Sequence, residues 1–192
     1  MYLYIANLYQ KQGDDEKYME VIKEGRAAYP DNSDLILYEL NFYLRNEKFV
    51  EAEENLKLAI SKDPTNKQLH FSLGVVYDNL GNSEGAIESY KRAIEVDPNY
   101  FDAVYNLGAF YFNQGVEVIN VANEIEAQKE YDAKMAEATA IFKDAQPYLE
   151  KAHDLEPTDL GAIASLQQLY ARTGEIERAT EMKKKMEAAS GK

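Results

Sequence analysis

The residues best suited by type to do chemistry are two histidines, His70 and His153, and two acidic runs. The runs are Asp14-Asp15-Glu16 and the set Glu51, Glu53, Glu54. Paired carboxylates can serve as general acid and base, and histidines can hold a metal or carry a proton. The spacing supports neither role. The histidines are 83 residues apart, with no ligand-like spacing around either. There is no cysteine, which excludes disulfides, zinc-thiolate sites and thiol chemistry. No Gly-rich phosphate loop follows a strand, and no serine elbow is present. His70 falls at a core-facing position between helices. His153 falls in a last helical turn, where a cation favours the helix C-terminus. The first acidic run opens a helix and offsets its dipole, and the second lies on a solvated helix surface. The expectation is a chain that is not an enzyme and uses neither cofactor nor metal.

The elements that carry these residues repeat. Pro30, Pro64, Pro98 and Pro157 are separated by 34, 34 and 59 residues. Tyr9, Tyr43, Tyr77, Tyr111 and Tyr170 are separated by 34, 34, 34 and 59. Two residue types therefore report one period and one insertion of 25 residues. Within 67–100, Leu73, Gly74 and Tyr77 share a helical face that ends at Gly81. Ala86, Tyr90 and Ala93 form a second stripe that ends at Asp97-Pro98. Each unit is thus predicted to be helix, short turn, helix, stop. Gly74, Ala86 and Ala93 allow close helix approach.

Leu73, Gly74, Tyr77, Gly81, Ala86, Tyr90, Ala93 and Pro98 resemble the tetratricopeptide repeat (TPR) pattern, position for position. The large aromatic of that pattern is replaced by Tyr2, Ile36, His70, Val104 and Ile163, and Glu39 stands where repeat two should have Leu. The resemblance implies an all-α fold, a right-handed α-α superhelix of five helix-turn-helix units. It would form a single array over 1–192, divided as 1–32, 33–66, 67–100, 101–159 and 160–192. The last unit, with Lys183, Met186 and a polar tail, reads as a solubilising cap. The first unit starts at its own third position, which suggests a parent with further repeats or a targeting segment upstream.

The fourth unit is expected to carry its insertion, at about 116–142, as an extended helical hairpin. Val118, Ile119, Ala122 and Ile125 keep helical spacing, as do Met135, Ala138, Ile141 or Phe142, Ala145, Leu149 and Ala152. Symmetric arms would place the apex around Ala127 to Lys129 and project about 18 Å. Pro147 either kinks the second arm, the favoured reading, or lies in the first turn of a fresh helix capped by Asp144. The two arms either cover each other, again the favoured reading, or present a docking arm.

In the TPR family the first helices line a concave face, and ligands contact fixed positions along it. Transferred to this chain, the resemblance implies a peptide-binding groove. It would consist of Leu37, Asn41, Leu44, Phe71, Val75, Asn79, Tyr105, Phe112 and Asn113. That face balances Lys11, Arg45 and Arg172 against Asp34, Asp78 and Asp102, on a chain of net charge −13. Apolar contact area edged by amides suits a peptide backbone. Some family members grip the C-terminal carboxylate of heat-shock chaperones through cations and asparagines. The corresponding places here are Leu3, Asn7, Tyr38, Gln68 and Ser72. Every cation is missing, so a chaperone-tail carboxylate clamp is not expected.

The acid surplus, 34 acidic against 21 basic side chains, argues against nucleic acid as a partner. No apolar run is long enough to span a membrane, and Met1 to Gln10 do not read as a signal peptide. The expected function is a scaffold that binds a protein or peptide in its groove. The alternatives are a structural assembly subunit docking through the hairpin, or a regulatory region of a larger protein. Acidic, cysteine-free TPR chains rich in Tyr and Asn look like bacterial proteins, some of them exported. This impression leaves the compartment open.

Overall fold

The computed structural model describes residues 1–189. Ser190 to Lys192, the end of the tail read as part of the cap, lie outside the described residues. The described residues form ten α-helices: α1 (Tyr2–Gln12), α2 (Asp15–Ala28), α3 (Ser33–Arg45), α4 (Phe49–Lys62), α5 (Lys67–Asn79), α6 (Ser83–Val96), α7 (Phe101–Ala122), α8 (Gln128–Leu155), α9 (Leu160–Thr173) and α10 (Ile176–Ala189). They group into two compact units, Met1–Val96 and Asp97–Lys192.

Local chemistry sets the helix ends. Two residues after a repeat proline, Asn32, Asn66 and Asp159 accept a hydrogen bond from Leu35, Gln68 and Ala162 backbone N–H groups at 3.0, 3.1 and 2.7 Å. These caps satisfy donors that a helix N-terminus cannot pair internally. The repeat tyrosines mark the other end of each first helix. The carbonyls of Tyr9, Tyr43, Tyr77 and Tyr170 accept from Asp14, Lys48, Asn82 and Glu175 at 2.8–3.0 Å. This closure needs one left-handed residue per turn. Gly13, Gly81 and Gly174 supply it, with φ of 72°, 71° and 83°, and Glu47 occupies the same place at φ 55°.

In the first unit, Ala6, Tyr18, Met19, Ile22, Leu35 and Phe42 form one buried core. Ile36, Leu40, Ala52, Leu56, Leu69, Leu73 and Val76 form the next. Glu39, the departure in repeat two, is accommodated by Arg26, whose Nε lies 3.1 Å from its carboxylate, and by the Tyr43 hydroxyl at 3.2 Å. Arg26 also donates to the Pro30 carbonyl, which fixes the guanidinium. A half-buried acid with a charged partner and a second donor avoids most of the cost of desolvation. At the close crossing of α5 and α6, a Cβ at Gly74 would lie 2.5 Å from Cδ1 of Tyr90, so only glycine fits.

The second unit packs α7 to α10 around Phe142, Leu149, Ile163, Leu166, Leu169 and Tyr170. Its hairpin differs from the expected symmetric form. α7 has 22 residues and α8 has 28, and the turn falls at Asn123 to Ala127, before the expected apex. α8 runs as one helix through Pro147. The fresh-helix alternative therefore does not apply, and Asp144 caps nothing. Ala122, Ala138, Phe142 and Ala145 are all buried, so the two arms cover each other's stripe.

Candidate protein-interaction surface

Six of the nine expected groove residues lie in the first unit. On α3, Leu37 and Leu44 are half-buried and Asn41, one helical turn from Leu37, is exposed. On α5, Phe71 and Val75 are half-buried and Asn79 is exposed. Leu37 and Leu44 rest on the core that Leu69 and Leu73 of α5 also join. Phe71 leans on the Tyr90 ring at 5.9 Å, so the core beneath fixes its rotamer. The Asn79 amide donates to the Val75 carbonyl of its own helix at 2.8 Å. Arg45 turns aside: its guanidinium pairs with Asp15 at 2.7 Å and lies over the Tyr18 and Phe42 rings.

The other three lie on α7 in the second unit. Tyr105 stacks on Phe101 at 5.8 Å, and its hydroxyl is 3.4 Å from Ser165 Oγ. Asn113 is exposed. Phe112 is not a surface residue: it is 8% exposed, with its ring 5.4 Å from that of Phe142. The second arm of the hairpin brings Phe142 back over α7, and the Arg172 guanidinium covers the ring at 5.8 Å. The resemblance supplied the position, and the insertion changed its surroundings.

Two clefts in the first unit were not anticipated. One, of about 1070 Å³, lies where α6 faces α4 across α5, lined by Lys57, His70, Tyr77, Glu88, Lys91 and Arg92 among others. The other, of about 600 Å³, is its counterpart among α2, α3 and α4, with Lys23 and Tyr43 in its lining. Lys23 and Lys57 are one repeat apart, as are Tyr43 and Tyr77, so the 34-residue spacing held the signal. Burial, with Glu39 beside it, pushes the Tyr43 hydroxyl up to about 12. It therefore remains a neutral donor to Glu39.

The histidines are structural. His70 is buried, and its Nε2–H donates to the Pro64 carbonyl at 2.8 Å. His153 corrects the expectation of a helix-terminal cation. It is buried, and Nε2 lies 3.1 Å from Lys185 Nζ. Burial and then the Lys185 charge lower its pKa, so the ring is neutral and accepts from the ammonium. In the same unit, burial opposes ionisation of Glu150. Hydrogen bonds from Gln146, Tyr170 and Arg178 outweigh that and hold its carboxyl below the usual range. Among the described residues, no group of three or more His, Asp or Glu could hold a metal ion. No described helix is long and apolar enough to cross a membrane.

Comparison with known proteins agrees with this architecture. Two family models match, "TPR repeat" over residues 79–115 and "Tetratricopeptide repeat" over 56–88. The chain is 25% identical over 118 residues to the photosystem I assembly protein Ycf3 of Acaryochloris marina (strain MBIC 11017). That match covers 61% of this chain and 64% of the relative, so the chain spans less than two thirds of that protein's length. Among solved structures, MamA matches with a TM-score of 0.76 at 22% identity, covering 97% of this chain and 95% of that one. YrrB, described as a TPR protein with an unusual peptide-binding site, matches with a TM-score of 0.66 at 20% identity, covering 98% and 84%. Both structural likenesses are of fold alone. With helix pairs closed at four of the repeat tyrosines and two matching family models, the chain carries tetratricopeptide repeats.

Proposed function

We propose that this protein is a non-enzymatic interaction scaffold, and that the first-helix face of its first unit binds an extended peptide segment of a partner protein. The observation that carries the reading is the surface made by α3 and α5. Leu37, Leu44, Phe71 and Val75 offer apolar contact held in place by the core beneath. Asn41 and Asn79 stand exposed one turn from these side chains. Asparagine both donates and accepts, which matches the alternating groups of a peptide backbone. Side chains already fixed in their rotamers lose little freedom on binding. The similarity to YrrB agrees with a peptide ligand but does not identify one. The acid surplus leaves nucleic acid the less favoured ligand.

The test is to pan a library of linear peptides against the protein and measure the selected peptides by titration. Asn41→Ala with Asn79→Ala should weaken them by roughly 10-fold or more, the loss of one to two net hydrogen bonds. Helicity should stay unchanged, because both side chains are exposed. Peptides that bind parent and double variant equally would exclude this face. The clefts beside Tyr43 and Tyr77 would then be the next surfaces to test.

A further inference from the structure

We propose that the contact between α8 and α10 is an acid-sensitive joint: protonation of His153 sets an imidazolium against the Lys185 ammonium and loosens α10 from the second unit. His153 is 9% exposed, and its Nε2 accepts from Lys185 Nζ at 3.1 Å. That bond requires a neutral ring with its proton on Nδ1. Nδ1 is buried and has no hydrogen-bond partner among the described residues. The bond to Lys185 is one that only the neutral ring can make. A proton added at Nε2 turns the acceptor into a donor, so two cationic donors face each other. No acceptor at Nδ1 offsets that loss. The repeat shows that packing alone does not need a histidine at this place. Ile60 and Ile94 stand there in the two preceding repeats, and Arg92 is the counterpart of Lys185. An isoleucine packs alike at every pH, whereas the histidine makes the contact depend on a proton.

The charges that act on the ring are Lys185 and Glu181 on α10 and Asp154 on α8 itself; none comes from α7 or α9. The two acids favour the imidazolium. Burial and then Lys185 outweigh them, so the ring holds its proton less well than an ordinary histidine. Lys185 also has another partner, Glu181 one turn earlier on α10, at 3.2 Å. Once the ring is charged, the ammonium turns to Glu181 and the bridge to α8 is broken. The sign follows from linkage. A detached His153 titrates near its ordinary 6.5, above the docked ring, so the detached form binds more protons in between. The contribution of the joint is complete above that pH and declines as the pH falls through it. Glu150, one turn before His153, ties α8 to Arg178 of α10 at 2.6 Å. Its carboxyl is held below the ordinary 4.5, so that tie weakens only in stronger acid. The two windows are separate.

Hydrogen exchange of the α10 amides, corrected for the intrinsic effect of pH, tests this. Protection should fall several-fold from about pH 7.5 to about pH 5.5, with roughly 10-fold as the ceiling for one histidine. His153→Ile restores the residue of the earlier repeats and should keep α10 protected while removing the pH dependence. Lys185→Met removes the opposing charge from a half-exposed side chain and should shrink the dependence. An NMR titration of the two histidine rings reads the joint directly, whether or not His153→Ile folds. One ring should titrate below 6.5 in the parent protein and move up in Lys185→Met, which also assigns it to His153. Protection of α10 that is equal at both pH values would overturn the proposal. So would a pH dependence that persists in His153→Ile, or two rings that both ignore Lys185→Met.

Discussion

The α5–α6 pair and the α7–α8 pair begin from the same pattern and end in different structures. In both, Leu-Gly is followed three residues later by Tyr, then by Gly four residues beyond: Leu73, Gly74, Tyr77 and Gly81, then Leu107, Gly108, Tyr111 and Gly115. In the first pair the last glycine turns the chain, with φ of 71° and open space around it. In the second pair it lies inside α7, where a Cβ would come within 2.6 Å of Phe142 Cε1. One residue type at one repeat position meets two unrelated demands, a left-handed turn and a close helix approach. The motif identifies the position, and the following residues decide what the glycine does there.

The comparison can be broken most forcefully at Phe142. Phe142→Ala should destabilise the second unit by about 3–5 kcal/mol, because it empties a fully packed site between Phe112 and Gly115. Chemical denaturation followed by circular dichroism measures this, and a loss below 1 kcal/mol would mean that the hairpin adds little to the core. Next in size is Gly115→Ala, expected to cost about 1–3 kcal/mol by overpacking against that ring. Gly81→Ala should cost about 1 kcal/mol for a different reason, the left-handed backbone. A double-mutant cycle separates the two causes. With Phe142→Ala already present, Gly115→Ala should become stabilising, since Ala is the better helix residue. Gly81→Ala should remain destabilising in either background. The smallest effect is expected at the turn between α3 and α4. There Glu47→Gly should raise stability by about 0.5–1 kcal/mol, seen as a higher denaturation midpoint, by relieving a positive φ on a residue with a Cβ.

Much of the fold was legible because the repeat proline and tyrosine each have a local physical task. The proline stops a second helix two residues before an Asn or Asp that caps the next helix, as at Pro64 and Asn66. The tyrosine carbonyl closes a turn, as at Tyr77 with Asn82. These tasks depend on neighbours in sequence, so spacing reveals them. Whether Phe112 is surface or core depends on Phe142, thirty residues away, and spacing carries no such information. The hairpin apex was misplaced for a similar reason. Equal arms would put the apex at Ala127 to Lys129, whereas α7 ends at Ala122, short of Ile125, and the chain resumes helix at Gln128. The helix that carries His153 does not decide its charge; its neutrality comes from burial and then from Lys185 on another helix. The clefts went unnoticed because a void is a property of three helices at once.

The five-residue turn between α7 and α8 bears on the order in which the chain folds. Closing a loop of five residues costs little entropy, and the long arms then pair residues that are close in sequence. Contacts of this kind form early on the folding path. The insertion that lengthens the fourth repeat therefore also adds short-range contacts beside its turn, although the turns within the other helix pairs are shorter, at two or three residues. It is expected to act as the nucleus on which α9 and α10 assemble, so that substitutions at Ala138 would slow folding while those at Ala179 would mainly speed unfolding.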